Sequence, residues 1–156
     1  MRAVRIAAFL FLLVLPAFGQ EYTIQQYLNI KSAGSPSMSP DGREVAYLSN
    51  VTGTMQVWAT LISSPKPVQL TNYEDNVSFV KWLGDGSGMV FGKAKGGDEN
   101  TQFYWMDKFG DRVKALTNSP AVRHNIGAFS RDGRYIFYSS NKRDRNYFDI
   151  YSMDLD

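Results

Sequence analysis

A chain of 156 residues in which 44% are hydrophobic fits one ordinary packed domain and argues against intrinsic disorder. Of its 17 basic residues two are Arg2 and Arg5, and without them 15 basic residues face 15 acidic ones, so the chain offers no basic footprint for nucleic acid or an anionic membrane. Cysteine is absent, which excludes disulfides, thiolate catalysis and cysteine-based zinc sites.

The first 19 residues have the pattern of a secretory signal peptide. Arg2 and Arg5 precede an apolar run, Pro16 follows the run, and Gly19 suits cleavage before Gln20. The run is short for a membrane span, although an uncleaved anchor is the alternative. The pattern predicts a secreted or periplasmic protein that has no membrane segment after cleavage.

Residues 20–34 form a leader between the signal peptide and the first repeat. Thr23 is a suitable N-cap for a short helix that carries Ile24, Tyr27 and Leu28 on one side. We interpret the leader as a docking segment, and a mobile leader is the alternative.

One phrase then occurs three times, as MSPDGREVAY from Met38, WLGDGSGMVF from Trp82 and FSRDGRYIFY from Phe129. Its aspartates, Asp41, Asp85 and Asp132, are 44 and 47 residues apart, a period typical of propellers and solenoids. Each Asp-Gly pair predicts a tight turn between two strands, because glycine adopts positive φ freely and aspartate hydrogen-bonds the backbone two residues on. A calcium site at these aspartates is disfavoured, since each stands alone beside its glycine.

The strands around each turn are apolar on consecutive positions, which indicates that both faces are covered. A further apolar segment follows in each repeat, and two repeats end in Leu-Thr-Asn, at Leu70 and Leu116. The predicted fold is therefore all-β: a partial β-propeller of about three four-stranded antiparallel blades, the third incomplete. The predicted blades are 35–72, 77–118 and 124–156, and neighbouring blades bury one another's faces.

Propellers typically have about 4 to 8 blades, so three blades do not close a ring. The uncovered faces predict that residues 20–156 self-associate. We therefore expect the chain to be the N-terminal piece of a longer protein.

With the repeats placed, several stretches resemble the N-terminal propeller of secreted bacterial members of the prolyl oligopeptidase family, of the dipeptidyl or acylaminoacyl peptidase type. The most specific are YLNIKSAGSPSMSPDG from Tyr27 and GGDENTQFYW from Gly96. The resemblance implies a C-terminal α/β-hydrolase domain that carries a Ser-Asp-His triad, peptide substrates, and a propeller that gates their access. Periplasmic TolB-type propellers share the Ser-Pro-Asp-Gly phrase.

No catalytic, cofactor-binding or metal-binding residue is predicted in this chain. A Gly-x-Ser-x-Gly nucleophile elbow is absent, because GDGSG at 84–88 has glycine in the serine position. His124 is the only histidine, and we expect it to make a structural hydrogen bond at the start of the third blade. Whether the chain is part of an enzyme therefore depends on the resemblance.

The charged segment from Lys93 to Gln102 connects two strands, and propeller loops carry recognition groups. The resemblance makes Asp98, Glu99 and Asn100 candidates for contact with the amino end of a peptide, and a solvated hairpin tip is the alternative. The matching segment 141–146 carries Lys142, Arg143 and Arg145, either as a solvated face or as a contact for the hydrolase domain. The tryptophans, at 58, 82 and 105, are expected to pack in and between blades.

Two functions remain open from the sequence. One is the gating propeller of an exported serine peptidase, which contributes architecture and substrate filtering but no chemistry. The other is a non-enzymatic TolB-like propeller that binds a protein or a glycan in the periplasm.

Overall fold

The computed structural model describes residues 21–155, in two units that divide after Ile30. The predicted signal peptide, 1–19, lies outside these residues. The first unit contains helix α1 (Ile24–Leu28), which begins after Thr23 with a capping box: the Gln26 N–H donates to Thr23 Oγ1 at 3.2 Å, and the Thr23 N–H donates to Gln26 Oε1 at 2.8 Å. The predicted cap is thus confirmed, and the docking role of the leader stays a prediction.

The first blade is an antiparallel sheet in the order of the chain: β1 (Ala33–Met38), β2 (Glu44–Ser49), β3 (Gln56–Leu61) and β4 (Val68–Gln69). It starts at Ala33, inside the segment expected to be leader. The reason is that pairing with β2 extends to Ala33 opposite Ser49, and Ser49 Oγ also donates to the carbonyl of Ser32 at 2.9 Å.

The second blade repeats this order with β5 (Val77–Trp82), β6 (Gly88–Lys93), β7 (Gln102–Asp107) and β8 (Val113–Ala115). The third blade has three strands within residues 21–155: β9 (His124–Phe129), β10 (Tyr135–Asp144) and β11 (Tyr147–Asp154). The prediction of an all-β fold with three antiparallel blades, the third incomplete, is confirmed.

The Asp-Gly pairs form the turns that join the first two strands of each blade. Asp41 Oδ1 accepts from Ser39 Oγ at 2.6 Å and from the Arg43 N–H at 3.1 Å, and Gly42 has a φ of 70°. The serine hydroxyl, followed by the backbone N–H, holds the pKa of Asp41 below its usual value. Asp132 makes the same two bonds with Ser130 and Arg134. These aspartates serve turn geometry, as predicted.

The second blade is covered on both faces. Successive side chains of a strand point to opposite faces, so Met89 and Phe91 pack against the first blade and Val90 packs against the third. All three are fully buried, with 0% exposure. Trp82 lies in the interface with the first blade and Trp105 in the interface with the third, as expected of packing residues.

The second blade is covered on both faces by its neighbours, whereas the third blade leaves one face uncovered within residues 21–155. Strand β11 alternates between exposed and half-buried residues. Tyr151 and Met153 pack toward the second blade, whereas Ile150 on the opposite face is 77% exposed. This is the uncovered face expected of three blades that do not close a ring, since no further sheet packs against it within residues 21–155.

Candidate functional site

The connection between β6 and β7, residues 94–101, holds the three candidate substrate-contact residues. Gly96 and Gly97 both have positive φ, 63° and 77°, a conformation that glycine adopts without a steric penalty. The Gly96 N–H donates to Asp75 Oδ1 at 2.8 Å, and the Asn100 N–H donates to Asp98 Oδ1 at 2.9 Å. The connection is therefore a defined loop held by side-chain to backbone hydrogen bonds.

The three candidates have different surroundings. Glu99 forms an ion pair with Arg123, whose Nη1 lies 2.6 Å from Glu99 Oε2. Asp98 is exposed, and one of its carboxylate oxygens is used inside the loop. The side-chain amide of Asn100 makes no hydrogen bond within residues 21–155. The backbone carbonyl of Asn100 accepts from Gln102 Nε2 at 3.0 Å.

Gln102 lies under the loop and anchors it to the end of the same blade. Its Nε2 donates to the carbonyls of Ser119 and Val122, both at 3.0 Å, and its Oε1 accepts from Thr117 Oγ1 at 3.0 Å. The hydroxyl of Thr117 in turn accepts from the Phe103 N–H at 2.9 Å. Thr117 belongs to the repeated Leu-Thr-Asn phrase, so the phrase supplies the partner of a buried amide.

The first blade has the same arrangement of hydrogen bonds around Gln56, and we call this arrangement of a buried glutamine in each of the two blades the clamp. Its Oε1 accepts from Thr71 Oγ1 at 2.8 Å, and its Nε2 donates to the carbonyl of Tyr73 at 2.9 Å. The clamp therefore fixes the segment that leads from each complete blade to the next.

Beside the loop lies a row of three aromatic rings, two from the second blade and one from the connection that leads into it. Phe91 stacks between Tyr73 and Tyr104, with ring centroids 6.0 and 5.2 Å apart. The ammonium of Lys93 lies 5.0 Å from the Tyr73 ring centroid and 5.5 Å from that of Tyr104. Burial, followed by the effect of Tyr104, raises the pKa of the Tyr73 hydroxyl above its usual value.

A cleft of about 210 Å³ connects the loop with this row. The structure brings Asp98 and Asn100 together in its wall, and Glu99 is not part of it. The cleft is also lined by Lys93, Ala94, Lys95, Gln102, Tyr104, Asn118 and Pro120. Sequence reasoning did not name Lys93, Tyr104 or Asn118 as contact residues. Each nevertheless stands in a stretch that it noted: the charged segment 93–102, GGDENTQFYW from Gly96 and the repeated Leu-Thr-Asn phrase.

His124 differs from the expectation. It is 4% exposed, and neither ring nitrogen has a hydrogen-bond partner within residues 21–155. Its ring packs 5.6 Å from that of Phe103 and 5.7 Å from that of Tyr138. The predicted structural hydrogen bond was wrong, because the rings of two blades surround the imidazole. Burial, followed by the positive charge of Lys142, holds the pKa of His124 below its usual value.

His124 contacts no serine hydroxyl, so the described residues contain no serine and histidine pair for nucleophilic catalysis. No group of three or more histidine, aspartate or glutamate side chains lies close enough to hold a metal ion in this part of the chain. Its one helix, α1, is not long enough to cross a membrane.

The predicted contact of Lys142, Arg143 and Arg145 with a hydrolase domain stays a prediction. In the structure Arg143 Nε lies 2.6 Å from Asp149 Oδ2 on the neighbouring strand, and the ammonium of Lys142 lies 3.8 Å from the ring centroid of Tyr151. These contacts hold two of the three cations against β11, at the exposed edge of the third blade.

No family model matches the chain. In sequence it is 25% identical over 122 residues to dipeptidyl aminopeptidase BIII of Pseudoxanthomonas mexicana, which covers 76% of this chain and 18% of the relative. It is 31% identical over 83 residues to the Tol-Pal system protein TolB of Francisella tularensis, which covers 53% of this chain and 19% of that protein. The chain thus spans less than a fifth of the length of each.

The fold is shared with solved propellers. The structure of TolB from Acinetobacter baumannii matches 80% of this chain and 30% of its own, with a TM-score of 0.66 and 24% identity. An acylaminoacyl peptidase matches 79% of this chain and 24% of its own, with a TM-score of 0.58 and 18% identity. A structure from a study of two prolyl endopeptidases matches 79% of this chain and 20% of its own, with a TM-score of 0.62 and 11% identity.

The chain is homologous to dipeptidyl aminopeptidase BIII. Its fold is that of the propellers in TolB and in prolyl endopeptidases. The resemblance predicted from the repeated phrases is therefore confirmed, both to these peptidases and to TolB.

Proposed function

We propose that this chain is the propeller part of an exported serine peptidase of the prolyl oligopeptidase family. The observation that carries the proposal is the relationship to dipeptidyl aminopeptidase BIII, which extends over 122 residues and 76% of the chain. In this proposal proteolysis belongs to a C-terminal α/β-hydrolase domain of the full-length protein. The described blades contribute architecture and control the access of peptides.

The lack of a serine and histidine pair within residues 21–155 is consistent with this division of work. The same residues offer a loop, 94–101, whose backbone is held by Asp75 and Gln102. A held loop keeps its exposed groups in place before a ligand arrives, which lowers the entropic cost of binding. Asp98 and Asn100 then contact the peptide directly, and Glu99 supports the loop through Arg123.

Export of the protein is part of the proposal. Residues 1–19 act as a cleavable signal peptide, and the mature protein begins at Gln20 in the periplasm or outside the cell. Sequencing the N-terminus of the protein from its native source tests this step. A mature chain that still begins at Met1 would contradict it.

The peptidase function is tested on the native protein. An antibody raised against this chain is used to isolate its natural product, which is then treated with a fluorophosphonate probe for active serines. We expect a product much larger than 17.6 kDa that the probe labels, while the 156-residue chain alone stays unlabelled. A native product that the probe does not label overturns the proposal.

A second candidate is a TolB-like binding module for a protein or a glycan. It is favoured by the 31% identity to TolB over 83 residues and by the TM-score of 0.66. The same isolation separates the two functions. An unlabelled native product that carries a bound protein or glycan supports the second candidate.

A further inference from the structure

The cleft beside the loop 94–101 contains a lysine without a carboxylate partner. Lys93 is half-buried and takes part in none of the ion pairs within residues 21–155. The rings of Tyr73 and Tyr104 orient its ammonium at 5.0 and 5.5 Å. A cation over two rings is held in place, but its N–H groups do not gain a hydrogen-bond acceptor from the ring faces.

Two acidic side chains near the loop are engaged outside the cleft. Glu99 pairs with Arg123 at 2.6 Å, and Asp75 Oδ1 accepts from the Gly96 N–H at 2.8 Å. Among the acidic residues that the structure describes, only Asp98 lines the cleft, together with Lys93 and Lys95. One oxygen of Asp98 is used by the Asn100 N–H. The cleft therefore carries a net positive charge and has room for a negative group.

Two side-chain amides complete the cleft. Asn100 and Asn118 both line it, and neither side chain makes a hydrogen bond within residues 21–155. An asparagine amide can donate and accept at once, as a peptide bond also can. Tyr104 and Pro120 add an apolar wall. The groups suit a ligand in which an amide adjoins a carboxylate.

We propose that this cleft binds the carboxylate of a peptide, with Lys93 as its charge partner and with Asn100 and Asn118 on the adjoining amide. The inference rests on the proposed function, because that function brings peptides to this loop. The proposal also reverses the charge of the peptide group that the sequence led us to expect, because Asp98, Glu99 and Asn100 were candidates for contact with a positively charged amino end. The carboxylate is either the C-terminus of the peptide or an acidic side chain.

Three acetylated tripeptides distinguish these sources. One is all alanine with a free C-terminus, one is all alanine with an amidated C-terminus, and one is amidated with glutamate in the middle. Binding to the purified chain is followed by NMR through the side-chain amide signals of Asn100 and Asn118. We expect a charged peptide to bind about tenfold more tightly than the uncharged one, the size of one charge-assisted hydrogen bond.

Variants assign the effect to Lys93. Lys93→Gln removes the preference for the charged peptide, and Lys93→Arg retains it. Lys114→Gln is the matched control, since Lys114 is exposed on β8 and does not line the cleft. Circular dichroism checks that each variant is folded. Equal binding of charged and uncharged peptides, no binding of any peptide, or an unchanged preference in Lys93→Gln overturns the proposal.

The outcome is independent of the probe experiment. Carboxylate binding by a chain whose native product has no active serine would overturn the peptidase function but retain this site. A labelled native product whose propeller shows no preference for a carboxylate would retain the peptidase function but overturn this site.

Discussion

The second and third blades carry the same phrase and the same turn, yet their corresponding side chains have different surroundings. Val90 and Phe137 each stand five residues after the turn aspartate; Val90 is 0% exposed and Phe137 is 42% exposed. Phe103 and Ile150 occupy matching positions on the next strand, with exposures of 0% and 77%. Burial in this fold is therefore decided by the neighbouring blade and not by the phrase itself.

The two blades also differ at the position that anchors the end of the blade. Gln102 pairs with Lys93 across the ladder, and Asp149 pairs with Ser140 at the corresponding place. The amide of Gln102 donates and accepts, which a carboxylate cannot do. Asp149 instead accepts from Arg143 Nε at 2.6 Å and from Arg143 Nη2 at 3.0 Å. The third blade thus has an ion pair where the others have a clamp.

The largest expected effect on stability comes from the face of the second blade that packs against the third. Phe103→Ala should lower the free energy of unfolding by about 3 to 5 kcal/mol, because it empties a fully buried site. The Phe103 ring contacts that of Phe79 at 5.5 Å and that of Tyr138 at 5.6 Å, so two blades lose a neighbour. Urea denaturation followed by tryptophan fluorescence measures the change.

Ile150→Ala is the matched control on the third blade. The side chain is 77% exposed, and we expect a change within about 0.5 kcal/mol. Equal losses for Phe103→Ala and Ile150→Ala would show that the two faces are covered alike in solution and would remove the difference between the blades.

The next effect concerns the clamp. Gln102→Ala should cost about 2 to 3 kcal/mol, because Thr117 Oγ1 and the Ser119 N–H, which bond to its Oε1 at 3.0 and 2.9 Å, lose their acceptor. Thermal unfolding followed by circular dichroism measures the loss. Gln56→Ala should behave in the same way, since Gln56 has the same bonds in the first blade.

Asp149→Ala sharpens this comparison. Its partner Arg143 is exposed, and exposed ion pairs contribute little because water screens them. We therefore expect a smaller shift in melting temperature than for Gln102→Ala. A larger shift would mean that Asp149 anchors the third blade as the glutamines anchor the others.

The turns and sheets were predictable because their determinants are local. An Asp-Gly pair specifies its own turn through the hydrogen bonds of Asp41 or Asp132, and the repeat period shows that the unit recurs. The Leu-Thr-Asn phrase was visible as a repeat, but its role was not. Thr117 bonds to Gln102, 15 residues away, and a contact at that separation requires the strand pairing to be known.

The charged loop between two strands was visible in the sequence, but the cleft beside it was not. Asp98 and Asn100 line this cleft, and their contact with a peptide stays a prediction. The ion pair of Glu99 and Arg123 joins residues that are 24 positions apart in the sequence. The ammonium of Lys93 is oriented by Tyr73, which lies in the connection between the first and second blades. Such contacts arise when blades stack, and they leave no local pattern in the sequence.

The smallest expected effect is the pH dependence that His124 introduces between the second and third blades. Its pKa is held below the ordinary value of 6.5 by burial and by Lys142, so the unfolded chain takes up the proton more readily than the folded one. Stability is therefore complete above about pH 6.5 and falls as the pH drops through the unfolded pKa. One proton is involved, which makes this effect smaller than that of the core variants.

His124→Phe isolates this contribution, because a phenyl ring can take the place of the imidazole between Phe103 and Tyr138 but does not titrate. The parent chain should lose stability between pH 7 and about pH 5.5, and His124→Phe should lose less over the same range, as measured by urea denaturation at each pH. Above about pH 5 carboxylates such as Asp41, whose pKa is lowered, stay ionised and do not interfere. Identical pH profiles would place the imidazole in contact with water and would contradict the buried interface between the two blades.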